Sequence, residues 1–279
     1  MFRTLAPMTH DVLARYAPSV FATTQHAKTS TKYAFIPTIS IVKGLEGAGW
    51  GIFGAQEQKI RTQERFGFQK HVLRFRRLDN SSALNIGDSI PELVLTNSHD
   101  GSSAYETMLG LFRKVCSNGL HVPNGTIQSV KIRHSGKASD EVIEGSFRLL
   151  NETPKLLDTV QSMQKTILDT NEQLIFASIA TKIRYGQSHT PINSSHLLNA
   201  RRVEDRGSDL WTTLNRVQEN LMRGGIRGTN ANQKRTTTRE IKGIDTTAQL
   251  NKNLWTIATE LQKFKNGEIN HVGPLNTAP

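Results

Sequence analysis

The sequence predicts an α+β protein, an antiparallel β-meander with a crossover helix and long helices packed on one face, followed by a helical C-terminal extension. Three observations lead there. Between residues 50 and 134, short runs alternate apolar and polar side chains with period two, which turns one face of a strand inward. From residue 139 onward, apolar residues recur every three or four positions, the spacing of one side of an α-helix. A chain of 279 residues with 36% hydrophobic and 21% charged side chains can also bury a substantial core.

Along the chain, residues 1–34 are irregular in pattern and rich in Ala, Thr and Ser. Thr38 is placed as the N-cap of a short helix that carries Ile39, Val42 and Leu45 on one side and ends near Gly47. Residues 50–54 open the meander, which continues through Phe66 and Phe68 into the basic strand 71–77 and the turn 78–82. A strand at 92–96, a polar turn at 97–102 and a helix at 104–115 come next. That helix would place Tyr105, Met108, Leu109, Leu111, Phe112 and Val115 on an apolar flank. A second basic strand spans 127–134. Helical periodicity then begins, with Pro154 as an interruption and Leu156, Leu157, Val160, Met163, Ile167 and Leu168 at helical spacing. Thr170 with Gln173 reads as a capping box that starts a helix running to Tyr185 and stopped by Gly186. Residues 208–222 form an amphipathic helix with Leu210, Trp211, Leu214, Val217 and Leu221 on its apolar side. A last helix over 246–265 returns Leu250, Leu254, Trp255, Ala258, Leu261 and Phe264 to a core. The division expected is a core domain over 1–186 and a helical C-terminal region over 187–279 containing a basic flexible loop at about 223–242.

Charge is the main pointer to function. The chain carries a formal net charge of +11. In the first basic strand Leu73 and Phe75 oppose Arg74 and Arg76; in the second, Val130 and Ile132 oppose Lys131 and Arg133. If the two strands are neighbours, their wet faces join into a cationic stripe that attracts a polyanion such as nucleic acid; otherwise the arginines solubilise a sheet. The loop after residue 222 adds Arg223, Arg227, Lys234, Arg235, Arg239 and Lys242 against the single acid Glu240. Such a loop is either disordered or ordered by an anionic ligand. Phe66, Phe68 and Phe75 flank the first basic strand, either to stack on unpaired bases or to fill the core.

Other chemistry finds little support. The single cysteine, Cys116, excludes a disulfide framework and a cysteine-cluster zinc site, and is read as packed behind Phe112 and Val115. His71, His99, His121 and His134 lack the spacing that aims two imidazoles at one ion, and no phosphate-loop lysine accompanies the glycines at 44–54. The acidic pairs at 140–141 and 204–205 read as solvated residues, not as ligands of a divalent cation. No cofactor, metal or enzymatic activity is expected. His99 and Asp100 in the polar turn leave three readings open: a cap for the helix at Ala104, a phosphate site at that helix N-terminus, or a small hydrolase centre. Uncharged stretches fall short of the ~18 apolar residues of a membrane span and no targeting segment opens the chain, so a cytoplasmic location without membrane attachment is expected.

The runs YAFIPT at 33–38, TNSHDGS at 96–102 and LFRKVCSNGL at 111–120, with LWT at 210–212, QEN at 218–220 and GG at 224–225, resemble the phage and plasmid-like protein family of unassigned function. The resemblance spans nearly the whole chain and implies phage, plasmid or bacterial accessory DNA as its setting. At the level of architecture alone, the meander, helix, strand and long helix are similar to single-strand annealing recombinases, which lay single-stranded DNA along a basic groove of a ring or filament. The expectation is an ATP-independent single-stranded DNA-binding and annealing protein of phage or plasmid recombination, a homo-oligomer in the bacterial host's cytoplasm. Lys70, Arg74, Arg76, Lys131 and Arg133 would contact phosphates from the sheet, and Arg223, Arg227, Lys234, Arg235 and Arg239 from the loop. The alternative is an anti-defence interaction protein that binds a host protein or nucleic-acid complex.

Overall fold

A computed structural model describes residues 1–31, 33–60, 63–78, 89–113, 119–121, 130–132 and 138–269. The chain divides into two units, Met1–Lys155 and Leu156–Pro279. This division lies upstream of the one expected at residue 186, and the helix ending at Tyr185 packs with the C-terminal helices.

The first unit is an antiparallel sheet in the order β1 (Phe2–Arg3), β2 (Trp50–Glu57), β3 (His71–Arg77), β4 (Ser89–Asn97) and β5 (Tyr105–Arg113). Two short strands, β6 (Gly119–His121) and β7 (Val130–Ile132), pair with opposite ends of the outer edge of β5. Helices α1 (His10–Tyr16), α2 (Thr38–Gly47) and α3 (Ala138–Asn151) complete it. Leu73 is registered with Leu95, Phe75 with Leu93, and Leu93 with Leu109, so these residues share one sheet face. All are buried, as are Ile41, Val42 and Leu45 of α2. Thr38 is the first residue of α2 and not its cap, a place taken by Pro37.

The stretch expected as a helix at 104–115 is the strand β5. Its apolar residues fit either period, and what decides is pairing on both sides, with β4 along its whole length and with β6 and β7 beyond. A central strand is buried on both faces, so its sequence need not alternate cleanly. The α+β class stands, with a further strand where the crossover helix was expected.

The expected cationic stripe is corrected by the same topology. Strands β3 and β7 are not neighbours, since β4 and β5 lie between them. Arg74 and Arg76 do point away from Leu73 and Phe75, but they are buried, at 1% and 4% exposure. Arg74 Nη1 donates to Glu92 Oε2 at 2.6 Å and Arg76 Nε donates to Glu92 Oε1 at 2.9 Å, with Arg3 Nη1 3.8 Å from the same carboxylate. The Arg76 guanidinium also lies against the rings of Phe112 and Phe53, 4.0 and 4.6 Å from their centroids. Burial pushes the Glu92 carboxyl up in pKa, but Arg74, then Arg3 and Arg76, outweigh it and hold the group below the usual carboxylate range.

The second unit contains α4 (Thr153–Lys165), most of which lies in it, α5 (Thr170–Tyr185), α6 (Leu210–Arg223), a hairpin of β8 (Arg227–Thr229) and β9 (Arg235–Thr237), and α7 (Ile244–Lys265). The capping box of α5 is formed by Asp169 and Glu172, one residue before the expected pair, and Gly186 ends the helix at φ +90°. An acid at the cap suits the positive end of the helix dipole better than the threonine beside it.

Replacing Glu92 by Gln leaves the buried guanidinium groups without a counter-charge. The E92Q variant is expected to lose about 3 to 5 kcal/mol of stability in urea unfolding; a loss within experimental error of zero would show that the cluster does not hold the sheet together.

Candidate nucleic-acid interface

The expected amphipathic helix is α6, and its surroundings go beyond amphipathicity. Its apolar residues Leu210, Trp211, Leu214, Val217 and Leu221 are buried, but so are Asn215, Arg216, Gln218, Glu219 and Asn220 on its other sides. Each of these needs a partner in the absence of water, and each finds one. Asn215 Nδ2 donates to the carbonyl of Trp211 at 2.7 Å, and Gln218 Nε2 to Asn251 Oδ1 at 2.6 Å. Arg216 donates to Gln173 Oε1 at 2.7 Å and to the carbonyl of Asp205 at 3.1 Å; burial lowers its pKa despite Asp205 and Asp209. Asn220 Nδ2 donates to the carbonyls of Leu197 and Asn199, both at 2.9 Å. Glu219 accepts from Arg202 Nη2 at 2.5 Å and pairs with Arg223 Nε at 3.1 Å.

Arg201 ties this helix to the turn at its C-terminal end, donating to Asn220 Oδ1 at 2.7 Å and to the carbonyl of Gly224 at 2.9 Å. Gly224 adopts φ +62°, and a Cβ there would lie 2.6 Å from the Thr238 carbonyl, so the chain leaves α6 through a turn that requires glycine. The backbone then closes on itself: Gly225 N donates to Thr238 O at 2.9 Å, Thr238 N to Ile226 O at 2.9 Å, and Ile241 N to Met222 O at 2.8 Å. The expected loop at 223–242 is therefore built around an ordered two-stranded hairpin with Arg227 opposite Thr237 and Thr229 opposite Arg235. Asn230 Oδ1 shapes its turn by accepting from the backbone of Asn232 and of Lys234, both at 3.0 Å.

One side of the hairpin rests on the preceding chain. Thr229 N donates to Pro191 O at 2.8 Å, and a Cβ on Gly228 would lie 1.7 Å from that same oxygen. Strand geometry turns Arg227, Thr229, Arg235 and Thr237 to the opposite side. Arg227, Lys234, Arg235 and Arg239 are all exposed, and among the described residues none of the four enters an ion pair. Arg223 is exposed as well, although its Nε is engaged by Glu219, and Lys242 lies 3.5 Å from Glu240. Unpaired guanidinium and ammonium groups clustered in and around an ordered hairpin can bind phosphates.

Arg223, Arg227, Lys234, Arg235 and Arg239 all lie in the second unit, in and around one hairpin, while the sheet residues belong to the first. Lys70 is half-buried just before β3, Arg74 and Arg76 are buried, and Lys131 stands in register with Glu106; Arg133 lies outside the described residues. Cys116 and His134 lie outside them too. Phe75 is buried, Phe68 packs edge-on against His26, and Phe66 is exposed. The roles of Arg201, Arg202, Glu219 and Gly228 were not anticipated. The pairing of Arg202 with Asp205, at 3.0 Å, was signalled by acids lying close after two arginines, a pattern read as solvated charge.

The turn at His99 and Asp100 separates its two residues. Asp100, its side chain largely covered, pairs with Arg65 and accepts from the backbone of Ser102 at 2.9 Å, so it shapes a turn ahead of a strand, not a helix. His99 is buried and its Nε2 lies 3.1 Å from Thr38 Oγ1. Thr38 Oγ1 also contacts His71 Nε2 at 3.0 Å and accepts from Asn97 Nδ2 at 2.9 Å. His71 Nδ1 lies 3.2 Å from the Gln69 carbonyl, which can only accept, and 2.8 Å from Ser19 Oγ. Counting protons places one on Nδ1 and leaves Nε2 to accept from Thr38. Among the described residues no three His, Cys, Asp or Glu side chains converge to hold a metal ion, and no helix is long and apolar enough to cross a membrane.

Residues 25–255 match the family model described as a domain of unknown function, DUF932. The chain is 39% identical to the UPF0380 protein YfjQ of Escherichia coli strain K12 over 255 residues, which cover 91% of this chain and 92% of that protein. It is likewise 39% identical over 255 residues to the UPF0380 protein YafZ of the same strain, with the same coverage. No solved structure matches it.

The geometry makes two testable demands. Burial, then the neighbouring His99, lowers the His71 pKa from its ordinary value to about 3. The unfolded chain takes up this proton near pH 6.5 and the folded one does not, so His71's contribution is complete above pH 6.5 and is lost as pH falls toward 3. Depressed carboxylates act below about pH 4.5, and Glu57, whose pKa burial raises, acts with the opposite sign. Unfolding free energies from urea titrations between pH 6.5 and 4.5 are expected to fall by about 1 kcal/mol per pH unit in the wild type and to fall less steeply in His71→Gln; an equal slope in both would remove the assignment. Gly228→Ala is expected to detach the hairpin from Pro191, seen as faster amide exchange at Thr229; unchanged protection would contradict the docking.

Proposed function

The chain belongs to the DUF932 family, a domain of unknown function, and for this member we propose an ATP-independent single-stranded DNA-binding protein that promotes annealing of phage or plasmid DNA. The observation that carries the reading is the hairpin segment on which Arg227 and Arg235 share one face, Lys234 stands in the turn and Arg239 follows the second strand, all four exposed and without an ion pair among the described residues. A chain with a net charge of +11 repels itself unless anions are near, and a ribbon that concentrates the unpaired cations is where a polyanion gains most. The preference for a single strand, the mobile-element setting, the bacterial cytoplasm and the oligomeric ring or filament are part of the proposal and rest on the sequence resemblance.

The sheet takes no part in this version of the mechanism. Phosphates lie along the hairpin, and the buried network around α6 keeps the hairpin from moving, so little ordering entropy is lost on binding. Affinity is then governed by counterion release.

For a single strand the slope of log affinity against log salt is about 0.7 for each phosphate neutralised, so the four cations supply a slope of roughly 3. Replacing Arg227 and Arg235 together by Gln is expected to reduce the slope by about 1.4 in fluorescence anisotropy titrations of a labelled oligonucleotide. An unchanged slope, or a wild type without affinity at low salt, would remove the proposal and turn attention to an acidic protein partner.

A further inference from the structure

In the second unit, a cleft of about 370 Å3 opens between the end of α5 and the first half of α7. Its lining includes Ile183, Arg184, Asp245, Gln249, Leu250 and Asn253. A chain of contacts links it to the base of the hairpin: Tyr185, next to the lining residue Arg184 in the chain, has its hydroxyl hydrogen-bonded to the side chain of Thr238, which itself accepts from Ile226 N at 3.0 Å. We infer that this cleft receives an unpaired nucleobase of the strand whose phosphates lie on the hairpin, an inference that rests on the DNA-binding reading above.

The chemistry of the walls selects a base over a phosphate. Ile183 and the buried Leu250 give an apolar surface of the kind a flat ring covers. Arg184 offers a planar guanidinium, 5.4 Å from the Tyr185 ring centroid and with a buried Nε that has no hydrogen-bond partner, as a stacking or donor group. Gln249 and Asn253, one turn apart on α7, are joined by a bond from Gln249 Nε2 to Asn253 Oδ1 at 2.9 Å. That bond leaves the Gln249 oxygen as an acceptor and the Asn253 nitrogen as a donor, the two kinds of group that the edge of a base presents and requires. The Asp245 carboxylate repels a phosphate and tolerates a neutral ring. A cleft of this volume is within the range of small-ligand sites, about 300 to 1,000 Å3. A base paired in a duplex is not available to it, so the cleft supplies the single-strand preference that hairpin cations alone lack.

The test compares the full chain's affinity for an unstructured mixed-sequence oligonucleotide and for an abasic backbone of equal length. The wild type is expected to bind the base-containing strand about tenfold more tightly. A Gln249→Ala/Asn253→Ala variant is expected to lose most of that preference while its salt slope and its affinity for the abasic strand stay as they were. Equal affinities for the two strands in the wild type, or full preference in the variant, overturn the base site. If hairpin dependence persists in that case, the phosphate reading survives; if neither strand binds, both readings fall.

Discussion

A guanidinium taken out of water loses several kcal/mol of hydration, so an arginine enters the interior only where a carboxylate or carbonyl waits for it. This constraint sorts the positive charge of the whole chain. In the first unit Glu92 draws Arg74 and Arg76 inward and brings Arg3 to 3.8 Å; in the second, Glu219 and Asp205 hold Arg202, and Glu219 also reaches Arg223. Among the described residues, three cations without such a partner stand exposed on the hairpin, Arg227, Lys234 and Arg235, and Arg239 follows just beyond it. The candidate interface is thus what remains after the buried acids have claimed their arginines.

The same constraint explains why the hairpin is firm without a ligand. Helix α6 is enclosed on its polar sides as well as its apolar one, and its side-chain amides and charges bind the carbonyls of the segments that pass it. Arg201 extends that network to Gly224, where the chain leaves the helix. Glycine at 224 and at 228 permits approaches to Thr238 and Pro191 that any Cβ would block. A cationic ribbon fixed in this way presents its charges before a strand arrives, which favours fast association as well as affinity.

Much of the fold was legible because period and punctuation are local properties. The strand His71–Arg77, the division of Leu73 and Phe75 from Arg74 and Arg76, the break between α3 and α4 and the stop at Gly186 are all set by neighbours in sequence. Two features were not local. Whether residues 104–115 form a helix or a strand was settled by β4 on one side and β6 and β7 on the other, none of which the run itself specifies. Whether Arg74 faces water was settled by Glu92, eighteen residues away, whose position across the strand pair depends on register. Of the candidate site, the cations of the loop were readable from composition, while the hairpin that aligns them depends on contacts to Pro191 and α6.

The account stands most directly on where the reactive arginines are, and arginine-selective modification read by mass spectrometry reports that residue by residue. In the free protein, Arg227, Arg235 and Arg239 are expected to react and Arg74 and Arg76 to stay unmodified; an added single-stranded oligonucleotide is expected to protect the first three. Modification of Arg74 or Arg76 in the native state, or protection that leaves the hairpin arginines reactive, would contradict it.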